Sequence, residues 1–271
     1  MSPWIDLAVD ALATRQSAAG GWGYQFRGEP FVEPTGLAGL ALAASAPGGA
    51  AGPLARRAAD WMAEIQNADG SLGPSAEVSA PGWGTSHAVL LWAAVGGHEA
   101  ERRSAVQWLL GLEGETWQFD RENAVGHDPS IPGWPWVAGT HSWLEPTCLA
   151  LLALRREGMG AHPRAGDGIR VVRDRAISTG GWNYGNSGVF GKSLRAQPAP
   201  TGIALLALAG TQAPDRLIKR ACGYLGQVLP RVRAPRSLGW GLLGLDAWGR
   251  RPAEAEAWLE ESFARLRRSR P

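Results

Sequence analysis

Cysteine is nearly absent from this chain, with only Cys148 and Cys222 among 271 residues. Two cysteines cannot frame a disulfide-stapled domain, and neither stands at a metal-ligand spacing from a second donor. Tyrosine (3) and phenylalanine (5) are scarce, while tryptophan reaches 14, so tryptophan has a specific task here. An excess of charge of one sign is also lacking. A net charge of +2 gives no broad electrostatic footprint for nucleic acid. The basic tail with Arg265, Arg267, Arg268 and Arg270 reads as a solvated helix end, where cations suit the C-terminal dipole. No apolar run approaches the ~20 residues of a membrane span. Asp6 and Asp10 interrupt any early apolar stretch, so no signal peptide is expected. These absences point to a cytoplasmic protein, with peripheral contact to a membrane surface left open.

What is present is a globular balance: 45% hydrophobic and 19% charged residues. That length and composition suit one domain over residues 1–271. Gly (37) and Pro (19) are spread along the chain as punctuation between many short elements. Four segments repeat one pattern. They begin Glu33-Pro-Thr-Gly-Leu-Ala, Gly84-Thr-Ser-His-Ala-Val, Glu145-Pro-Thr-Cys-Leu-Ala and Ala199-Pro-Thr-Gly-Ile-Ala. A weaker fifth copy is Ser237-Leu-Gly-Trp-Gly-Leu-Leu. The spacing of roughly 40–60 residues is that of helical-hairpin repeats. Each copy places Thr or Ser before the apolar stretch, which predicts an N-cap whose hydroxyl accepts a first-turn N–H. The stretches that follow are apolar on every side and must be buried all round.

Helices of opposite character lie between these copies. The segments starting at Leu54, Glu101, Arg216 and Ala255 mix charged and apolar residues at helical spacing, which predicts one wet face. Alternation of all-apolar and amphipathic helices has a simple solution: an inner ring of about five and an outer ring of about six helices. The predicted fold is therefore all-α, an α/α toroid. No inner copy follows Trp258, which leaves the ring either one helix short or closed by a neighbouring chain, so a homo-oligomer is one expectation.

Gly/Trp turns follow most amphipathic helices: Gly20-Gly-Trp-Gly, Asn67-Ala-Asp-Gly-Ser-Leu-Gly, Gly114-Glu-Thr-Trp and Gly180-Gly-Trp-Asn-Tyr-Gly. The segment from Ala59 to Gly73 resembles the Gln-Trp repeat of squalene/hopene and oxidosqualene cyclases. Gln16 with Trp22, Gln66 with Gly70, and the Gly180-Gly181-Trp182 turn match the pieces of that repeat. In that family a Gln and a Gly-x-Trp tie outer helices together. The stretch from Pro132 to Thr147 is also similar to cyclase-type proteins. The resemblance spans nearly the whole chain and extends to the protein prenyltransferases of the same repeat superfamily. It implies a polyisoprenoid or other apolar small molecule as partner.

The loops leading into the apolar helices should share one end of the ring, where the positive helix ends surround the mouth. The longest, roughly residues 113–145, exceeds the ~12–15 residues beyond which loops are usually functional or disordered. The family's protonating cyclases use Asp-x-Asp-Asp before Thr, and cation–π attraction from aromatic walls then stabilises the carbocation. This chain lacks that motif. Aligned on Thr147, Glu145 falls where the middle Asp would stand, with Trp143 and Pro146 as its neighbours. Glu145 thus has two readings, a general acid or a carboxylate that favours a helix start; Glu33 in the same context supports the second. His141 and Asp128 lie in the same loop and could join Glu145 in a proton network.

For substrate contact the candidates are Glu33, His87, Trp134, Trp136, Trp143 and Tyr184, all in these loops or at helix starts. His87 equally reads as a hydrogen-bonded cap residue, and the turn around Tyr184 as loop-ordering hydrogen bonds. Cys148 and Cys222 lack the Asp and His partners of the zinc-dependent prenyltransferases and the Cys-Gly-x-Gln of thioester proteins. No metal and no cofactor is therefore expected, and a peptide-prenylation module is the weakest reading. No P-loop, dinucleotide fingerprint or Ser-His-Asp spacing occurs. Two functions remain in view. One is a terpene-cyclase-like enzyme of isomerase or lyase type, acting on a polyisoprenoid by carbocation chemistry. The other is a non-catalytic toroid that binds an isoprenoid or another protein.

Overall fold

A computed structural model of the chain describes residues 2–25, 27–45, 52–118 and 125–268. Among them are eleven α-helices. They are α1 (Pro3–Ala13), α2 (Val32–Ser45), α3 (Gly52–Glu64), α4 (Gly84–Val95), α5 (Glu99–Gly111), α6 (Leu144–Arg156), α7 (Pro163–Asp174), α8 (Pro198–Leu208), α9 (Asp215–Val228), α10 (Pro235–Asp246) and α11 (Ala255–Arg268). A two-residue antiparallel hairpin, β1 (Gly188–Val189) and β2 (Lys192–Ser193), pairs Val189 with Lys192 in the loop before α8. The chain forms two compact units. The first is Met1–Glu113, Pro135–Thr140 and Leu152–Ala161; the second is Gly114–Trp134, His141–Leu151 and His162–Pro271.

The alternation expected from composition is present within each unit. In the first, α4 buries Gly84 through Val89 without a break, then Leu91 and Trp92. Its neighbour α3 buries Ala55, Ala58, Ala59, Trp61 and Met62 and leaves Arg56, Arg57 and Asp60 exposed. In the second unit, α8 buries every residue from Ala199 to Leu205. The amphipathic α9 buries Ile218, Ala221, Cys222 and Leu225, a single stripe at helical spacing. Helices α8 and α10 pack backbone to backbone. A Cβ on Gly202 would stand 2.1 Å from the Trp240 carbonyl oxygen, so only glycine permits this approach.

The turn after α1, α3 and α7 is a repeated device. The amide of Ser17 donates to Gly21 O, that of Asn67 to Ser71 O and that of Ile177 to Gly181 O, each at 2.9 Å. Gln16 Nε2 donates to Gly20 O in its own turn (2.6 Å) and to Leu54 O at the start of α3 (2.9 Å). Gln66 does the same to Gly70 O (2.8 Å) and to Glu101 O in α5 (2.9 Å). One amide side chain thereby ties successive amphipathic helices, as the resemblance implied. The indole N–H groups of Trp22 and Trp182 each reach back ten residues, to Leu12 O (2.9 Å) and Val172 O (2.6 Å).

The threonines correct one expectation. Thr35, Thr85, Thr147 and Thr201 lie inside the first turns of α2, α4, α6 and α8 and do not accept a first-turn N–H. Each hydroxyl accepts the backbone N–H of a residue in the preceding loop: Trp22, Leu72, Trp134 and Trp182, at 2.9 to 3.0 Å. The separation is 13 residues in the first three cases and 19 in the last. A buried amide that would otherwise lack a partner is satisfied by the helix it packs on. The same bonds correct a register. In the third repeat the residue equivalent to Trp22 is Trp134, not Trp117, because the additional loop residues precede it.

Candidate functional site

The long loop begins after α5 and ends at α6, and its residues 119–124 lie outside those described. In the second unit it is pinned at several points. Gly114 N donates to Gly133 O (3.0 Å), and Ser142 Oγ accepts Gly133 N (2.7 Å). Trp134, 1% exposed, carries the Arg164 guanidinium over its ring at 3.9 Å. Arg164 also donates to Gly133 O (2.6 Å) and Pro132 O (3.1 Å), so Trp134 is a structural anchor under this loop. Farther along, Val125 bridges to Val189, and Gly126 N donates to Gly188 O at 2.8 Å. The loop therefore docks on the small hairpin.

An aromatic row follows from this docking. Trp117 and His141 meet edge to face, with ring centroids 6.2 Å apart; His141 and Trp143 are 4.9 Å apart. Trp117 and His141 are exposed and Trp143 half-buried. Trp143 lies against Gly185, where a Cβ would come within 2.7 Å of the indole. The carbonyl of exposed Tyr184 accepts Leu144 N (3.2 Å), and Asn183 Oδ1 orders this turn by accepting Gly185 N (3.1 Å).

Glu145 sits in the first turn of α6, buried at 5% exposure, and accepts a hydrogen bond from Arg236 Nη2 in the first turn of α10. An adjacent guanidinium favours the ionised carboxylate. Deeper along α6, the thiol of Cys148 is fully buried, and burial, followed by the charge of Glu145, pushes its pKa well up. It is an inert core thiol.

Beside His141 lies a cluster that sequence reading caught only at Asp128. Asp128 N donates to Asp174 Oδ2 (2.9 Å), while Ser130 donates to Asp128 Oδ1 through N and Oγ. The Ser130 hydroxyl holds the Asp128 pKa below its ordinary value. Burial raises that of Asp174. His127, 5% exposed, is pushed down to about 4, by burial first and then by the charge of Arg175. Arg175 itself is 4% exposed and donates through Nη1 to Ser142 O (2.6 Å).

The first unit holds the remaining candidates. Glu33 accepts a hydrogen bond from Tyr24 Oη at 2.7 Å, and Tyr24 is exposed at 56%. His87 is 2% exposed in α4, packed where a Cβ on Gly36 of α2 would come within 2.7 Å of it. Trp136 meets Trp83 edge to face at 5.2 Å, and its carbonyl accepts Trp83 N (3.1 Å). The structure thus gathers Trp134, His141, Trp143, Glu145, Tyr184 and Asp128 in one unit, and Glu33, His87 and Trp136 in the other. His127, Arg175, Arg236 and Trp117 were missed as site residues. The His127-Asp128 dipeptide was a signal for the first; Arg173-Asp174-Arg175 reads in sequence as an ordinary wet helix end.

Among the described residues no group of three His, Cys, Asp or Glu side chains is placed to hold a metal ion. No described helix is long and apolar enough to cross a membrane. Of the basic tail, Arg265, Arg267 and Arg268 fall in the last turn of α11, where Arg265 pairs with Glu261; Arg270 lies outside the described residues.

No protein-family model matches the chain, and no curated protein matches it by sequence. Solved structures do. A protein from Actinoplanes is 17% identical with a TM-score of 0.59, over 98% of this chain and 80% of that one. The type II terpene cyclase MstE from Scytonema is 18% identical with a TM-score of 0.59, over 95% of this chain and 78% of that one. A variant of that cyclase holding geranylgeranyl dihydroxybenzoate, its substrate, gives 16% identity and a TM-score of 0.62, over 97% and 76%. The chain therefore shares the fold of these structures, all-α as expected. Identity at this level establishes the fold alone.

Proposed function

We propose that this chain binds a polyisoprenoid against the aromatic row of its second unit. The observation that carries the reading is the row itself: Trp117, His141 and Trp143 stand in successive ring contact just ahead of α6, with Trp117 and His141 exposed, Trp143 half-buried and exposed Tyr184 bonded through its carbonyl to Leu144. Flat, rigid aromatic surfaces accept the apolar length of an isoprenoid chain. Structures of the Scytonema cyclase that share the fold hold geranylgeranyl dihydroxybenzoate or merosterolic acid A, which supports an apolar partner of this class.

The pairing of Glu145 with Arg236 favours binding over acid-initiated chemistry. Protonating an alkene requires a neutral carboxyl of high acidity, and a guanidinium partner holds the group ionised. A second reading, carbocation cyclisation begun by Glu145, has one specific observation in its favour. The Glu145 side chain is 6% exposed while that of Arg236 is 42% exposed. A ligand that displaced Arg236 would leave a buried carboxyl, which desolvation drives towards its neutral form. In that reading His141 and Asp128 would relay the proton.

Incubation with squalene or geranylgeraniol, followed by extraction, separates the two. Binding predicts ligand retained by the protein and recovered unchanged. Cyclisation predicts new products whose rate falls by about 10²–10⁴ in Glu145→Gln. Failure of the wild type to retain or turn over either compound would remove the polyisoprenoid reading altogether.

A further inference from the structure

Two polar side chains of the second unit are buried and underused. Arg175 is 4% exposed and His127 5% exposed. Arg175 commits Nη1 to Ser142 O, but its Nε and the Nδ1 of His127 have no hydrogen-bond partner among the described residues. Of the two nearby carboxylates, Asp174 accepts the Asp128 amide and offers Arg175 its charge but no hydrogen bond, and Asp128 accepts from Ser130.

A buried cation without an ion-pair partner is a costly arrangement. Burial lowers the Arg175 pKa only to about 10, so the guanidinium stays charged at neutral pH. His127 is held neutral there and can add a hydrogen bond without a second charge. With Nη1 occupied, the guanidinium offers its side-on edge, Nε and Nη2. That edge matches the two oxygens of a planar carboxylate. One positive charge calls for a singly charged group, whereas a diphosphate needs several cations or a metal. The edge also lies next to the aromatic row, because the carbonyl that holds Arg175 belongs to Ser142, between His141 and Trp143.

We propose that Arg175 and His127 form an anion site, and that the ligand of this chain carries a carboxylate at one end of an apolar isoprenoid body. The inference rests on the reading of the aromatic row as the binding wall for that body.

Calorimetric titration of wild type and Arg175→Met with farnesoic acid, farnesol and benzoate tests it. Methionine keeps much of the length of arginine without its charge. The wild type should bind the acid about tenfold or more tightly than the alcohol, as expected for hydrogen bonds to a charged group. The acid-to-alcohol ratio should fall to about one in Arg175→Met. Equal affinity for acid and alcohol in the wild type overturns the anion site and leaves the isoprenoid reading intact. Benzoate binding to the wild type but not to Arg175→Met, with neither isoprenoid bound, upholds the anion site and overturns the isoprenoid body. Binding of none of the three overturns both. The wild-type ratio alone decides the anion site if Arg175→Met fails to fold.

Discussion

The same three residues, Glu-Pro-Thr, open α2 in the first unit and α6 in the second, and their fates differ. Thr35 and Thr147 do one job: each hydroxyl accepts the amide of a tryptophan 13 residues earlier, Trp22 or Trp134. The glutamates diverge. Glu33 is half-buried and takes a hydrogen bond from the exposed Tyr24 phenol. Glu145 is buried and takes a charged one from Arg236. The repeat therefore specifies the hairpin, while the residue each glutamate meets, Tyr24 or Arg236 of α10, specifies the chemistry of the carboxylate.

Removing each glutamate's partner should break this comparison most visibly. Arg236→Ala leaves a buried carboxylate without its ion pair and should cost about 2–3 kcal/mol, discounted because the arginine is partly exposed. Tyr24→Phe, at an exposed site, should cost under about 0.5 kcal/mol. Urea denaturation of both variants checks the contrast, and equal losses would erase it. Next in size are the threonines, where the units should behave alike. Thr35→Val and Thr147→Val each strand a buried amide and should each cost about 2 kcal/mol. A loss confined to one of them would show that the shared bond is not a shared device.

Acid pH probes the second unit from another side, through the buried His127. The folded-state pKa of His127 is about 4, below the ordinary 6.5, so the unfolded chain takes up the proton first as pH falls. Stability is full above pH ~6.5 and is lost towards pH ~4, with about 1–2 kcal/mol gone by pH ~5. Asp128, lowered, adds to the loss, and Asp174, raised, opposes it, both in the more acidic carboxylate range. His127→Phe should flatten the pH ~7 to ~5 part of the curve measured by thermal denaturation. An unchanged slope would remove His127 as its cause.

Periodicity made the helices legible, and the Gln16 and Gln66 bridges were legible because side-chain type and turn position recur together. The direction of the threonine bonds was not. A Thr at a helix start serves a first-turn amide or a distant one equally well, and only packing decides. The register of Trp134 was hidden by the loop residues inserted ahead of it, which placed Trp117 first in view. His141 and Trp143 were legible as candidates because they are aromatics of the long loop, and Tyr184 because it stands in a Gly/Trp turn. Arg175 was not, because burial of the last arginine in an Arg-Asp-Arg run depends on a loop more than thirty residues earlier, which contacts it through Ser142 (a separation of 33).

An isoprenoid chain resting on the aromatic row of the second unit would depend on Trp143. Equilibrium binding of geranylgeraniol to Trp143→Ala and Tyr24→Ala tests it most directly. Loss of a contact surface of indole size should weaken binding of the ligand about tenfold or more in Trp143→Ala. Tyr24→Ala, in the first unit, should bind as the wild type does. Full affinity in Trp143→Ala, or loss of binding in Tyr24→Ala instead, would place the isoprenoid elsewhere than on the row.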